Sequence, residues 1–205
     1  MIIGMHRSGT SLTSCICQDL GVNIGKNLIG ANSSNPAGHF ENIEFMTFHE
    51  KLLKHAGGNW NNIPSQDDLH KSFDDNICEA KSIINKNKSE IWGWKDPRST
   101  LFFDKYIQLL ENPMLLICFR NSYNVAKSLY NRDKISIKDG LKLANIYDRF
   151  IIEGLNKINY SIPILYIPFE DYFIDKYKQI DMIRDFIGSQ NIPNYNLVID
   201  EYSTL

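Results

Sequence analysis

The opening segment constrains the fold of this chain most strongly, because it joins a predicted strand to a predicted helix through a loop with two glycines. A short β-branched run, Ile2–Ile3, precedes Gly4 and Gly9, and apolar residues recur at helical spacing after Thr10. Such a loop at a helix N-terminus directs backbone N–H groups and the positive end of the helix dipole to one point. The segment therefore predicts a site for phosphate or sulfate oxygens.

The loop differs from the nucleotide-binding loop of P-loop NTPases. The Walker pattern G-x-x-x-x-G-K-[ST] would run from Gly4 to Gly9 and then needs a lysine, where this chain has Thr10. Here the cation comes earlier, at Arg7. The loop is similar to the 5′-phosphosulfate loop of sulfotransferases that use 3′-phosphoadenosine-5′-phosphosulfate (PAPS), although a plain strand–helix turn is the alternative interpretation. The resemblance implies that PAPS is the sulfuryl donor and that its phosphosulfate binds Arg7, Ser8, Gly9, Thr10 and Ser11.

A second motif follows the apolar run Met114–Phe119, where Arg120 precedes Ser128 on the next predicted helix. A guanidinium binds phosphate through two parallel hydrogen bonds, and a hydroxyl adds a donor without adding charge. The pair resembles the 3′-phosphate motif of the same family, which implies that Arg120 and Ser128 bind the 3′-phosphate of PAPS. The alternative is a surface ion pair between Arg120 and a carboxylate. The Arg-Lys-Gly segment that often contacts this phosphate in the family is absent here.

Predicted strands alternate with predicted helices along the chain. The strands are Ile2–Ile3, Ile91–Trp94, Met114–Phe119 and Ile164–Ile167. This alternation implies right-handed crossovers and a mostly parallel sheet. Together with the resemblance, it predicts one α/β domain over residues 1–205, a three-layer P-loop-like fold in which helices flank a central sheet of about four to five strands.

Helical periodicity predicts a helix over residues 42–56, a polar helix that ends near Lys88, and a helix that begins at Ser99 as its N-cap. Segments without periodicity are predicted to be loops, and these are residues 22–41, residues 57–66 and the tail from 190 to 205.

Charged residues follow three of the predicted strands: the Arg7 loop, the segment Lys95–Arg98, and Arg120. Parallel sheets bind ligands beyond the carboxyl ends of their strands, so one cleft is expected to collect these residues. Lys95-Asp96-Pro97 resembles a segment of the protein-tyrosine sulfotransferases and their bacterial relatives. That resemblance implies that Lys95, with Arg7, stabilises the charge that develops as the sulfur–oxygen bond breaks. We expect Arg98 to pair with Asp96.

The long loop before the second helix contains the expected general base. Related bacterial sulfotransferases use a glutamate in this region, which implies that Glu41 takes the proton of an acceptor hydroxyl. His39 is the rival base, because an imidazole titrates near neutral pH. The alternative for Glu41 is a carboxylate that is favoured only by the dipole of the following helix. The expected catalytic residues are therefore Glu41, Arg7 and Lys95, with no metal.

Composition excludes some classes of protein. The net charge of −2 and the pI near 6.2 argue against a general binder of nucleic acid or of anionic membranes. No stretch reaches the length of about 20 apolar residues that a membrane helix needs. The four cysteines lack zinc-site spacing, and we expect a reducing, cytoplasmic compartment. The first strand, Ile2–Ile3, is short, so we leave open whether the N-terminus is native or trimmed.

These motifs predict an enzyme that moves a sulfuryl group from PAPS to an acceptor hydroxyl. By analogy with bacterial relatives only, we expect the acceptor to be a carbohydrate or another cell-envelope component. Two alternatives stay open: a small-molecule kinase on the P-loop plan that uses ATP and magnesium, and a non-catalytic relative that binds a nucleotide or an anionic glycan. The oligomeric state is not predicted.

Overall fold

The computed structural model describes residues 1–31, 38–158 and 161–195. Within these ranges the sheet has three parallel strands, in the order β1 (Ile2–Ile3), β2 (Leu115–Phe119) and β3 (Ile164–Pro168). The strands alternate with helices, so the predicted α/β class is confirmed. The predicted turn-rich part of the loop, residues 32–37, and the end of the predicted tail, residues 196–205, lie outside the described residues.

The predicted strand Ile91–Trp94 is wrong. This segment forms isolated parallel bridges, in which Trp92 pairs with Asn23 and Lys95 pairs with Ile2. Its backbone pairs first with Asn23 and then, three residues later, with Ile2. Pro97 has no backbone N–H with which to extend a strand pairing. The expectation of four to five strands is therefore also wrong for the described residues, where the sheet has three.

Nine α-helices and one 3-10 helix lie in the described part of the chain. They are α1 (Thr10–Asp19), α2 (Ile43–His55), α3 (Gln66–Asp75), α4 (Ile77–Asn87), the 3-10 helix (Pro97–Leu101), α5 (Phe103–Ile107), α6 (Ser122–Asp133), α7 (Ile137–Lys157), α8 (Asp171–Ile174) and α9 (Lys176–Ile187). The prediction of a helix over 42–56 is confirmed by α2, whose N-cap Asn42 accepts a hydrogen bond from the backbone N–H of Glu44. No helix in these ranges combines the length and the apolar character that a bilayer crossing requires.

Two predicted helices differ from the observed ones. The polar helix that was expected to end near Lys88 is divided at Asn76, which lies between α3 and α4. Ser99 is not an N-cap, because the 3-10 helix begins two residues earlier, after Asp96. The Asp96 carboxylate accepts the backbone N–H of Arg98, and a proline after the cap favours a helix start.

Alternate residues along the strands pack into two different hydrophobic clusters, one on each face of the sheet. Ile3, Leu115 and Ile117 pack in the first cluster, with residues of α2 to α7. Ile2, Leu116 and Cys118 pack in the second cluster, with residues of α1 and α9. Because both faces of β1 and β2 are buried, ligand-binding side chains are expected from the loops at the strand ends and from the helices that follow them.

Candidate active site

The loop between β1 and α1 has a tightly fixed backbone. Ser8 closes a turn, since its backbone N–H and its hydroxyl both donate to the carbonyl of Met5, at 3.2 and 2.6 Å. The backbone N–H of Gly4 donates to Thr100 Oγ1 at 3.0 Å, which ties the loop to the 3-10 helix. Gly9 precedes α1 with φ +92°, and no side chain among the described residues caps this helix. A helix N-terminus of this kind suits an anion.

Two loop positions accept only glycine, for reasons of space as well as backbone angle. A Cβ atom at Gly9 would lie 2.4 Å from Cδ2 of Phe169, which follows β3. A Cβ atom at Gly4 would lie 2.3 Å from the carbonyl oxygen of Cys118 in β2. The loop thus packs directly against the carboxyl ends of the two neighbouring strands.

The structure brings the two predicted arginines together. Arg7 Nε donates to Ser128 Oγ at 2.8 Å, and Arg120 Nη1 donates to the Arg7 carbonyl at 3.3 Å. The Arg120 guanidinium lies over the ring of Phe169, with 4.3 Å between Cζ and the ring centroid. Residues more than a hundred positions apart therefore meet at the carboxyl edge of the sheet, as the motifs predicted.

This arginine cluster concentrates positive charge. Burial and, to a lesser extent, the charges of Arg132 and Arg120 lower the pKa of Arg7 to about 10, while the charge of Asp133 raises it. Glu170 is half-exposed and stands 4.0 Å from Arg120 Nε. An anion placed among these side chains would relieve their mutual repulsion.

Arg132 is a member of this cluster that the sequence interpretation missed. It lies on α6 one turn after Ser128, on the same face of the helix. Its Nε pairs with Asp133 at 2.7 Å, and its Cζ lies 5.7 Å from the ring centroid of Trp60. The four-residue spacing from Ser128 was the available signal, because helical neighbours at that spacing share a face.

The expected base and the expected catalytic lysine form a buried ion pair. Lys95 Nζ donates to Glu41 Oε1 at 2.8 Å, and the two residues are 1% and 6% exposed. The other carboxylate oxygen, Glu41 Oε2, lies 3.5 Å from Arg98 Nη1. Both oxygens of Glu41 therefore face cations, and two of the three predicted catalytic residues, Glu41 and Lys95, are in direct contact.

The predicted pair of Arg98 with Asp96 is confirmed, with Nη1 donating to Oδ1 at 2.9 Å. Burial opposes the charge of Asp96, but Arg98 and a hydrogen bond from His49 outweigh it and hold the pKa of this carboxyl well below its usual range. Burial likewise opposes the charge of Arg98, and Asp96 and Glu41 raise its pKa. Asp96 is thus an ionised carboxylate at the centre of the site.

Three other residues of the site lie near Glu41 or the loop. Thr10 is buried in the first turn of α1, and Ser11 Oγ donates to the carbonyl of His39 at 3.2 Å. Burial lowers the pKa of His39, while the charge of Glu41 raises it and the charge of Lys95 lowers it. The rival base therefore lies close enough to the Glu41–Lys95 pair for their charges to act on it.

His6 was not predicted to take part, yet it lies inside the site. It is 7% exposed, its ring centroid lies 4.5 Å from that of Trp60, and its Nε2 has no hydrogen-bond partner among the described residues. Burial lowers the pKa of His6 well below its usual value, and the charges of Arg98 and Arg132 lower it further. His6 is therefore a neutral imidazole at neutral pH.

The site combines two groups of charged residues. Arg7, Arg120 and Ser128 form one hydrogen-bonded group, whose guanidinium and hydroxyl groups are of the kind that suits an anion. The Glu41–Lys95 pair places a carboxylate next to a fixed cation. Comparisons of the chain with family models, with curated proteins and with solved structures found no match.

Proposed function

We propose that this protein is a PAPS-dependent sulfotransferase with a three-layer, P-loop-like α/β fold. One observation carries the proposal: Arg7, Ser128 and Arg120 form a connected hydrogen-bonded group at the carboxyl edge of the sheet. PAPS is an anion with two phosphate-bearing ends on one nucleoside. Two arginine motifs that converge from distant parts of the sequence fit such a ligand better than they fit a single small anion.

In this proposal the two ends of the donor bind different parts of the cluster. The N-terminus of α1 and the loop residues Arg7 to Ser11 hold the 5′-phosphosulfate, where backbone N–H groups and the helix dipole favour negative charge. Arg120 and Ser128 hold the 3′-phosphate, and Arg132 adds a third cation on the same helix face as Ser128. The closeness of the Arg7, Arg120 and Arg132 charges supports this arrangement, because the charges of Arg132 and Arg120 both act on Arg7.

The reaction would proceed by direct displacement at sulfur. The acceptor oxygen forms a bond to sulfur, the bond between sulfur and the 5′-phosphate oxygen breaks, and that electron pair leaves with adenosine 3′,5′-bisphosphate. Glu41 takes the acceptor proton, and Lys95 and Arg7 stabilise the negative charge that grows on the leaving oxygen. The 2.8 Å contact between Lys95 and Glu41 supports this division of roles, since it places the base and the cation side by side.

We propose a hydroxyl of a carbohydrate or other cell-envelope component as the acceptor and a cytoplasmic location for the enzyme. The class of the acceptor rests on analogy alone.

The ion pairs of Glu41 favour one second candidate, an anion-binding protein without turnover. Both oxygens of Glu41 already face Lys95 or Arg98, so a proton must displace one of these contacts. A protein that binds a nucleotide or an anionic glycan without catalysis would retain such a closed pair.

Isothermal titration calorimetry with adenosine 3′,5′-bisphosphate tests donor binding. We expect saturable binding by the wild type, and at least about a tenfold loss of affinity in Arg120→Met, because a charge-assisted hydrogen bond is worth about 1.5–3 kcal/mol. Arg149→Met is the matched control, since Arg149 is exposed on α7 and pairs only with Glu153 among the described residues. Binding of magnesium ATP, with none of the bisphosphate, would favour the kinase instead.

Release of adenosine 3′,5′-bisphosphate from PAPS, measured with a panel of sugars and with water alone, separates the two remaining candidates. Turnover by the wild type that Glu41→Gln abolishes supports the enzyme. Tight bisphosphate binding with no turnover across the panel supports the non-catalytic protein.

A further inference from the structure

We infer that His49, buried beneath the site, is a positioning residue that fixes Glu41 through Asp96 and Arg98. The inference rests on the proposed sulfotransferase function, in which Glu41 is the base. His49 lies on α2 and is fully buried, so it cannot touch a substrate. Its effect on the reaction must pass through its neighbours.

Both ring nitrogens of His49 have partners. Nδ1 lies 2.7 Å from Asp96 Oδ2, and Nε2 lies 2.9 Å from the hydroxyl of Tyr106. Aromatic rings enclose the imidazole, with Phe102 stacked at 5.7 Å and an interplanar angle of 8°. A polar ring in such surroundings is stable only because both nitrogens are satisfied.

One partner fixes the proton on Nδ1. Asp96 is ionised and can only accept, so the proton between Asp96 and His49 lies on Nδ1. Nε2 contacts the hydroxyl of Tyr106, which can donate or accept. Burial and the charge of Asp96 raise the pKa of Tyr106 well above its usual value, so this hydroxyl keeps its proton.

The chain of contacts continues from Asp96 to the base. Asp96 Oδ1 accepts both the backbone N–H of Arg98, at 3.1 Å, and its Nη1, at 2.9 Å. The same Nη1 lies 3.5 Å from Glu41 Oε2. Arg98 Nη2 reaches Glu50 Oε1 at 3.1 Å, which fixes the other end of the guanidinium. His49 thus anchors the carboxylate that holds Arg98, and Arg98 holds Glu41.

Two amide substitutions separate the role of each nitrogen. In His49→Asn the amide nitrogen takes the place of Nδ1, so the bond to Asp96 is kept and the bond to Tyr106 is lost. In His49→Gln the amide reaches toward the place of Nε2, so the bond to Asp96 is lost. We expect His49→Gln to lower kcat for release of adenosine 3′,5′-bisphosphate from PAPS at least about tenfold. We expect His49→Asn to rescue kcat to within about threefold of the wild type.

Binding and folding measurements exclude a merely structural effect. The KM for PAPS and the calorimetric Kd for adenosine 3′,5′-bisphosphate should stay within about twofold in both variants, because the anion contacts lie elsewhere. Tyr106→Phe is the control for the outer bond and should leave kcat within about threefold. Nitrogen-15 spectra of the wild type should show a protonated Nδ1.

The outcomes distinguish the inference from the function on which it rests. A wild type that turns over PAPS, with equal kcat in His49→Gln and His49→Asn, overturns the positioning role alone. Spectra that show Nδ1 without a proton overturn it as well. A wild type without turnover overturns the proposed enzyme, and the positioning role with it.

Discussion

Replacing Arg7 with methionine should weaken ligand binding and at the same time stabilise the ligand-free protein. The two effects have one cause: Arg7 is a buried cation beside Arg120 and Arg132. Methionine has a similar length, no charge and the same backbone preferences at the observed φ of +70°. If Arg7 served only the fold, its substitution would destabilise the protein. The sign of the change in the free energy of unfolding therefore distinguishes the two roles.

The size of the stability change follows from the pKa of Arg7. Lowering it from its ordinary value to about 10 corresponds to about 3 kcal/mol at neutral pH. Screening at a side chain that is partly exposed reduces this to about 2 kcal/mol. Losing the bond to Ser128 costs about 1 kcal/mol. We therefore expect the free energy of unfolding to rise by about 1 kcal/mol, and Tm to rise by about 2–4 °C.

The pH dependence of this change has a definite sign. In the folded protein Arg7 loses its proton near pH 10, whereas in the unfolded chain it keeps the proton to higher pH. The unfavourable charge is thus fully present at neutral pH and diminishes as the pH rises through about 10. The stability advantage of Arg7→Met should shrink over the same range.

Thermal unfolding followed by circular dichroism, with and without adenosine 3′,5′-bisphosphate, measures both effects. The variant should bind the bisphosphate about 10- to 150-fold more weakly than the wild type, because a charge-assisted hydrogen bond is lost. Arg149→Met, on the exposed face of α7, should change neither quantity. An Arg7→Met protein with a lower Tm and unchanged affinity would refute the reasoning.

Three further predictions concern the loop and the base. Gly9→Ala should lower the free energy of unfolding by at least about 2 kcal/mol more than Gly57→Ala does. Both glycines have positive φ, but only at Gly9 would a Cβ atom clash with Phe169. Equal losses of stability in chemical denaturation would contradict this. Glu41→Gln should lower PAPS turnover about 100-fold or more with bisphosphate affinity within about twofold, and full activity would point to another base. Bisphosphate affinity should fall as the pH rises through about 10, where Arg7 loses its proton, and a constant calorimetric Kd across that range would count against an Arg7 contact.

Much of the fold could be predicted from local patterns. Helix α2 was expected over residues 42–56 and spans Ile43–His55, because its apolar stripe and its Asn42 cap are local signals. Strand β2 followed from a continuous apolar run. The meeting of Arg7 with Arg120 followed from a rule of topology, since the carboxyl ends of parallel strands share one edge of the sheet.

The rest depends on tertiary packing. The segment Ile91–Trp94 has the composition of a strand, but its backbone divides its pairing between Asn23 and Ile2, and no local pattern records that division. Glu41 and Lys95 were each expected in the site, whereas their direct ion pair depends on how the loop before α2 folds onto the sheet.

The charged residues missed in the sequence had weak or remote signals. Arg132 resembles any surface arginine until Ser128, one turn earlier, is known to contact Arg7. His49 lies in an ordinary amphipathic helix, and its partner Asp96 is 47 positions away, so its role depends wholly on the three-dimensional contact.

A crystal structure of the protein with adenosine 3′,5′-bisphosphate bound tests the central proposal most directly. The proposal predicts the 5′-phosphate at the N-terminus of α1 beside Arg7, and the 3′-phosphate within hydrogen-bond distance of Arg120 and Ser128. A bisphosphate bound away from these side chains, or one that touches Arg7 but neither Arg120 nor Ser128, would contradict it.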